Sequence, residues 1–303
     1  MYFTRLPDHT QPGFDEAQHF NQFKKHNIIF HAESGNSYCD DHVGCLSIKT
    51  VLRGEETYGV DGRQLPVRRG QFLLLNNEQR YSCRISSQEK ARTLSVFFKN
   101  EFASAVLSDA LHDEDYLLDN PAMEAGTMPE FFQTLRPVTP DMDRQLSGLV
   151  HLLETEGYNE AMTDEYLVFL LGNLVDAHRS DMKRTGLVKA LKAGTRKEIY
   201  KRLCIAKDVL HTAHGDDIDL RKVGAAAGLS VPQLVRHFKT VFHTTPYRYL
   251  TGIRLQQAAD LLQRTEEPVQ EIAWTCGFEN PAAFSRAFKS AYGVQPTRFR
   301  ADG

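Results

Sequence analysis

Residues 272–289 read IAWTCGFENPAAFSRAFK, and residues 223–239 read VGAAAGLSVPQLVRHFK. Aligned on their Phe-Lys pairs, both stretches place an Arg two residues before the Phe and a Pro eight residues after it. The second stretch has one extra residue between its Gly and its Arg. A short helix, a Gly turn and a second helix, occurring twice, predict two helix-turn-helix units at about 219–241 and 268–291.

The residues around each turn favour this interpretation. Gly228 and Gly277 predict the ends of the first helices, because glycine adopts the left-handed conformation at little cost. Ser230 and Asn280 are typical N-caps of the second helices. Leu234 and Phe238, or Phe284 and Phe288, then fall on one buried face, which leaves the Arg and Lys side chains facing outward.

The segment between the two copies predicts a long helix. Thr245-Pro246 reads as a cap followed by Pro at the first helical position, and the helix runs to about Gln263. Its apolar stripe consists of Leu255, Ala258, Ala259 and Leu262. At about 1.5 Å per residue such a helix spans roughly 25 Å, enough to hold two units near the ~34 Å repeat of successive major grooves.

The second copy resembles the signature of the AraC/XylS-type bacterial transcription regulators, and the resemblance covers about residues 196–300. The residues that carry it are Ile272-Ala273, Gly277-Phe278, Phe284, Arg286, Phe288-Lys289, Gly293, Pro296 and Phe299-Arg300. It implies an all-α domain over 196–303, with two helix-turn-helix units that bind double-stranded DNA. The implied function is sequence-specific transcription regulation, typically activation, with RNA polymerase as a further partner.

The same resemblance implies which side chains face DNA. The residues expected to face bases are Gln233, Val235, Arg236, Lys239, Asn280, Ala282, Ser285, Arg286 and Lys289. An Arg pairs bidentately with guanine, which discriminates by about 1–3 kcal/mol. The candidate contacts to the DNA backbone, each also explicable as a solvated surface charge, are Arg248, Arg254, Arg298 and Arg300.

The first copy departs from the family pattern at several positions. Gly224 stands where Ala is usual, and His243 where Gly is common. Pro232 occupies a position that often carries a DNA-contacting side chain, and Ala282-Ala283 replaces the usual Ser-Tyr of the second copy. We therefore expect the two units to contribute unequally to specificity, with Arg236 doing most of the first unit's base recognition.

The charge distribution supports a nucleic-acid partner for the C-terminal part only. Residues 196–303 hold 16 Lys+Arg against 11 Asp+Glu, a net of +5, whereas residues 1–195 hold 20 against 28, a net of −8. A basic domain attached to an acidic one fits DNA binding by the former. The length of 303 residues accommodates two domains, each with its own core.

The N-terminal 182 residues predict a sensor or dimerisation domain. Short runs rich in β-branched and apolar residues lie within 20–100, with an Asp-Gly hairpin turn near Tyr58. Their close spacing indicates a sandwich or barrel and resembles the cupin-type barrel of this family. Residues 101–140 read as an irregular, acidic connection. The fold class is therefore α+β in two domains.

Two amphipathic stripes predict a helical hairpin over about 141–182. One stripe contains Leu146, Leu149 and Leu153, and the other runs from Leu167 to His178 after an expected cap at Thr163. The hairpin either packs on the barrel or forms a homodimer interface, as family members often use helices here. Residues 183–195 read as a linker.

A pocket in the barrel would suit a small-molecule effector, and His31, Tyr58 and Tyr81 are the candidates to line it. Each of these residues is equally explicable as ordinary strand packing. Two alternatives remain open: a constitutive regulator whose β domain only dimerises, and a cupin-type enzyme fused to a DNA-binding domain.

Catalysis is disfavoured by the motifs. No His-x-His pair with downstream Glu and His is present, nor a phosphate loop or nucleophile elbow, so we expect no metal, no cofactor and no enzyme activity. Five scattered cysteines suggest reduced thiols. No apolar run approaches the ~18–20 residues of a membrane span, and the first residues do not resemble a signal peptide, which predicts a cytoplasmic protein without a membrane partner.

Overall fold

The computed structural model describes residues 1–7, 16–111, 128–212 and 218–301. The chain divides into two compact units, Met1–Lys183 and Arg184–Gly303. Each unit has its own buried core.

The described residues of the first unit contain eight strands and four helices. The strands are β1 Tyr2–Phe3, β2 Ile28–Val43, β3 Ser47–Arg53, β4 Glu55–Val60, β5 Arg63–Arg68, β6 Gln71–Leu75, β7 Arg80–Phe97 and β8 Arg136–Pro137. The helices are α1 Glu16–Lys25, α2 Asn100–Leu111, α3 Pro140–Thr155 and α4 Glu160–Gly186, of which the last extends past the division between the units.

The strands form one curled, mostly antiparallel sheet, a half-barrel, in the order β1-β2-β7-β3-β6-β8. The β4–β5 hairpin pairs with β7 at its other end. The hairpin turn at Asp61 and Gly62 has φ of 49° and 73°, so the predicted Asp-Gly turn is confirmed. Register shifts after Ser34 and Cys39 bend β2 against β7, which allows the sheet to curl.

Alternation along the strands separates two apolar layers. On β6, Leu73 and Leu75 join the cluster inside the curled sheet, whereas Phe72 and Leu74 join the cluster that includes α3 and α4. A buried ion pair, Arg136 with Asp181, connects β8 to α4. The hairpin therefore packs on the outer face of the sheet through a continuous core.

Two expectations for this unit are wrong. Residues 101–140 were expected to be irregular, but Asn100–Leu111 is a helix whose buried residues Ala103 and Leu107 lie one turn apart. Residues 112–127, the middle of that expected loop, lie outside the described residues. The cap of α4 is Asn159, whose side chain accepts from Met162 N, whereas Thr163 lies buried inside the helix.

In its described residues, the second unit consists of helices and the segments that connect them, without strands. Its helices are α5 Ala193–Thr212, α6 Leu220–Ala226, α7 Val231–Phe242, α8 Pro246–Arg264, α9 Val269–Thr275, α10 Pro281–Tyr292 and α11 Pro296–Ala301. The irregular segment before α5 is short, residues 187–192. The long connecting helix, α8, begins after the predicted Thr245 cap, whose side chain accepts from Arg248 N.

Candidate nucleic-acid interface

The two turn regions of the second unit have the same backbone hydrogen bonds. Leu229 N donates to Gly224 O at 2.8 Å, and Phe278 N donates to Ala273 O at 2.9 Å. Gly228 and Gly277 have φ of 63° and 79°, so the predicted glycine helix ends are confirmed. The pairs α6–α7 and α9–α10 therefore share one helix-turn-helix geometry.

Helices α7 and α10 each bury one face and expose the other. Leu234 and Phe238 are fully buried on α7, as are Phe284 and Phe288 on α10. The opposite faces expose the residues expected to contact DNA. The exposed members are Gln233, Arg236, Lys239, Asn280, Ala282, Arg286 and Lys289, and the half-buried members are Val235 and Ser285.

Two of the side chains expected to contact bases take part in the N-terminal caps of these helices. Ser230 forms the predicted capping box with Gln233, whose Oε1 accepts from Ser230 N at 3.1 Å. Asn280 Oδ1 accepts from Ala282 N at 2.8 Å and from Ala283 N at 3.3 Å. Both side chains therefore stabilise the first turn and retain only their amide NH₂ groups for outward hydrogen bonds.

Arg236 and Arg286 differ in their surroundings. An Nη atom of Arg236 lies 3.4 Å from Nε2 of the buried His237. Burial, and secondarily Arg236, lowers the pKa of His237, so a neutral imidazole accepts from the guanidinium and orients it. In α10, the residue that aligns with His237 is Ala287. Only the Arg of the first helix-turn-helix unit therefore has this neighbouring imidazole.

The candidate backbone contacts fall into different settings. Arg248 and Arg298 are exposed, on α8 and α11. Arg254 is half-buried. Burial raises the pKa of the Cys276 thiol in the second turn to about 11, and the nearby charge of Arg254 opposes this rise. Arg300 donates to Glu267 O, which commits one edge of its guanidinium to the protein.

Sequence reasoning missed two exposed cations on α6, the first helix of the first helix-turn-helix unit. Arg221 and Lys222 are exposed on α6, where the second unit has Gln270 and Glu271. The first helix of such a motif crosses the DNA backbone, so cations there suit phosphates. Extending the alignment of the two copies to the positions two and three residues before Gly224 and Ala273 would have found this difference.

Two of the three candidate effector residues lie together. Tyr58 and Tyr81 line one cavity inside the curled sheet, with ring centroids 6.1 Å apart. His31 lies at a different place, where its Nε2 accepts from Arg92 Nε at 2.9 Å. Sequence reasoning missed Lys49 and Glu56, which also line the cavity; a Lys in the middle of the apolar β3 strand was the available signal.

Residues 223–302 match the family model of a helix-turn-helix domain. The transcriptional regulator MtrA of Neisseria gonorrhoeae is 39% identical over 88 residues, which are 29% of this chain and 29% of that relative. Residues 223–302 are therefore a helix-turn-helix domain of the AraC type. Its match to MtrA thus spans less than a third of the relative's length.

One relative matches along most of the chain. An uncharacterised helix-turn-helix regulator of Haemophilus influenzae is 21% identical over 286 residues, covering 89% of this chain and 91% of the relative. Among solved structures, an AraC-type regulator from Chromobacterium violaceum is 27% identical, with a TM-score of 0.33 over 37% of this chain and 96% of that one.

The described residues contain neither a candidate metal cluster nor a helix suited to span a membrane. No cluster of three or more His, Cys, Asp or Glu residues in that part of the chain has the arrangement of a metal site. None of the helices described above combines the length and the apolar character needed to span a membrane.

Proposed function

We propose that the chain is a sequence-specific DNA-binding transcription regulator whose activity responds to a small molecule bound in the N-terminal unit. The observation that carries the DNA-binding part is the pair of exposed faces on α7 and α10. Each lies opposite a buried apolar face, and each contains one Arg. The net charge of +5 over 196–303 favours the same partner.

The roles within this proposal follow the geometry. Arg286 and Lys289 on α10, with Arg236 and Lys239 on α7, contact base edges or adjacent phosphates in the major groove. Arg221 and Lys222 contact the backbone, which fixes the register of the first unit without reading sequence. Arg248 and Arg298 add exposed cations for further phosphate contacts.

The effector part rests on the cavity in the first unit, which places Tyr58, Tyr81 and Lys49 together. A homodimer belongs to the proposal because α4 exposes Met162, Val168 and Phe169, the last with half of its surface accessible. RNA polymerase is included as a partner through the resemblance to activators of this type.

Selection of genomic fragments by the full-length protein, followed by sequencing, tests the proposal. We expect enriched sites with two conserved elements about 10 base pairs apart, because two linked helices enter successive major grooves. A second copy of that paired element would indicate a dimer. Affinity for an enriched site should fall steeply with salt as phosphate contacts release counterions. Enrichment of no sequence, with affinity equal for all fragments, would contradict the proposal.

A further inference from the structure

Two cysteines lie directly opposite each other in neighbouring strands of the curled sheet. Cys39 on β2 pairs with Cys83 on β7, and Tyr58 on β4 lies opposite Cys83 from the other side. All three side chains line the cavity inside the sheet. Directly opposed residues of an antiparallel pair point to the same face of a sheet. The two thiols therefore lie side by side in one row that crosses three strands.

The backbone at this position fits a disulfide bond. Directly opposed residues of an antiparallel pair have Cα atoms about 4.5–5.5 Å apart, which falls inside the range of about 4.4–6.8 Å that disulfides require. Cys39 is also the last residue of β2 to pair before the register shift that ends at His42. A bulge interrupts the hydrogen-bonded ladder there, so the strand beside Cys39 can adjust locally to a new bond.

The two thiols are in contact with each other. Their hydrogen bond, and after it burial, raises the pKa of Cys83 well above its usual range, whereas the charge of Lys49 opposes this rise. Cys83 therefore keeps its proton and donates it to the sulfur of Cys39. In such a coupled pair the two protons leave in separate steps. Cys39 is accordingly the sulfur that first carries a negative charge.

Lys49 places a buried cation beside this pair. Its side chain is 1% exposed, and its Nζ donates to the Tyr81 hydroxyl at 3.4 Å. Burial lowers the pKa of Lys49 to about 8, and a negative charge on Cys83 is the first of the nearby influences that oppose this fall. The amine is mainly charged at neutral pH, so it stabilises a thiolate on either cysteine of the pair.

Cys45 provides a contrast within the same unit. It belongs to an apolar cluster with Phe23, Phe30 and Phe97. Burial raises the pKa of its thiol to about 12. A thiol in such surroundings stays protonated and reacts slowly with oxidants. Cys45 is therefore the natural internal control for the reactivity of the opposed pair.

We propose that Cys39 and Cys83 form a reversible redox site, which hydrogen peroxide oxidises to a disulfide. The cavity that both thiols line contains about 490 Å³ of empty space, including its mouth, and it gives a small oxidant access. Cys83 is half-buried, whereas Cys39 is 8% exposed. The inference goes beyond the proposed function, because oxidation of these thiols requires neither DNA nor an effector.

The reaction proceeds in two steps. The Cys39 thiolate attacks one oxygen of the peroxide, the O–O bond breaks, and Cys39 becomes a sulfenic acid. The proton that Cys39 released joins the leaving hydroxide as water. The Cys83 sulfur then attacks the Cys39 sulfur, the S–O bond breaks, and the Cys83 proton leaves with that oxygen as a second water. Two thiols thus lose two electrons and two protons, and one peroxide becomes two waters.

Peptide mass spectrometry of the folded full-length protein tests the site. The reduced protein is treated with hydrogen peroxide, and the remaining thiols are alkylated before digestion. We expect one linked peptide pair, Cys39 with Cys83, which dithiothreitol releases, together with an alkylated Cys45. The same treatment in concentrated urea should link the five cysteines without this preference, because the unfolded chain does not hold the pair together. The urea pattern in the folded protein, or the lack of the Cys39–Cys83 link, would overturn the proposal.

Matched serine variants distinguish the roles of the two sulfurs. Cys83→Ser should accumulate a sulfenic acid at Cys39, which dimedone traps, because the second thiol is missing. Cys39→Ser should be trapped at Cys83 about 10-fold more slowly. Cys45→Ser should form the link at the wild-type rate. Equal trapping in Cys39→Ser and Cys83→Ser would refute Cys39 as the attacking sulfur, and loss of the link in Cys45→Ser would refute the pair itself.

Lys49→Met tests the contribution of the buried cation. We expect the link to form about 10-fold more slowly at neutral pH, since a shift of one unit in the pKa of a thiol changes its thiolate fraction tenfold. The melting temperature of the reduced variant should be unchanged or higher, because an apolar side chain of similar length replaces a buried cation. Equal rates of link formation in Lys49→Met and the wild type would remove Lys49 from the mechanism.

Discussion

The first and second helix-turn-helix units share a scaffold but differ in the length of the turn. The first unit has Leu229 and Ser230 after its glycine, whereas the second has Phe278, Glu279 and Asn280. In the shorter turn, a Cβ at Gly224 would lie 2.5 Å from Leu229 O. The matching position in the second unit is Ala273, which is fully buried. The glycine that departs from the family pattern is therefore required by the shorter turn.

The units also differ in the charges around their turns. Arg202 on α5 donates to Gly228 O at 2.9 Å and so fixes the first turn from outside the motif. The first helix of that unit exposes Arg221 and Lys222, whereas its counterpart exposes Gln270 and Glu271. We propose from this contrast that the first unit mainly positions the protein on phosphates and that the second contributes more to base recognition.

Gly224→Ala should have the largest effect on this comparison. The added methyl group meets a backbone oxygen that cannot rotate away, so we expect a loss of about 2–3 kcal/mol in the free energy of unfolding. The matched variant Ala273→Gly should lose only about 1 kcal/mol, the usual cost of glycine in a helix. Trp274, the single tryptophan of the chain, reports unfolding of this unit by fluorescence. Equal losses in both variants would show that turn length does not distinguish the units.

Arg286→Ala and Arg236→Ala compare the two recognition faces. Arg286→Ala should reduce the preference for a selected site over random DNA by about 30-fold, corresponding to about 2 kcal/mol for one lost Arg–guanine pair. Arg236→Ala should reduce it less, because its neighbours Pro232 and Val235 offer few polar contacts. Competition binding with specific and random duplexes measures both. An equal loss on the two duplexes would make the affected Arg a phosphate contact, and a larger effect of Arg236 would reverse the proposed division.

Local signals in the sequence predicted where the helices of the C-terminal compact unit, Arg184–Gly303, begin and end. Each of these signals acts on residues that are close to it in the chain. The Ser230 capping box, the Thr245 cap and the glycine helix ends depend on side chains and backbone within a few residues. Asn280-Pro281 likewise marked the start of α10. The same locality explains why the buried and exposed faces of α7 and α10 follow from residue spacing, although Val235 and Ser285 are half-buried.

The N-terminal compact unit, Met1–Lys183, was less predictable because its cavity depends on pairing between strands that are distant in the chain. The runs within 20–100 were expected to be short strands, but β7 is one strand of 18 residues that pairs with β2 on both sides of a register shift. Tyr58 and Tyr81 were found, whereas Lys49 on β3 and Glu56 on β4 were not. Which face of β3 points into the curled sheet follows from its register with β6 and β7, and no local pattern determines that register.

His243→Gly should have the smallest effect of the three comparisons. His243 ends α7 in the left-handed conformation with φ of 56°, at the position where Gly293 ends α10 with φ of 79°. A left-handed residue other than glycine is strained by about 1–2 kcal/mol, and glycine in the unfolded chain offsets part of the relief. We therefore expect His243→Gly to stabilise the C-terminal compact unit, Arg184–Gly303, by about 0.5 kcal/mol.

The reciprocal variant, Gly293→Ala, should destabilise that unit by about 1 kcal/mol, because it introduces the strain that His243 already carries. Urea unfolding followed through Trp274 measures both changes on one probe. Opposite signs would establish that the two helix ends have the same geometry and differ only in the residue that occupies them. A loss of stability in His243→Gly would mean that the imidazole itself stabilises the end of α7 by more than the strain costs, which would make this helix end another real difference between the units.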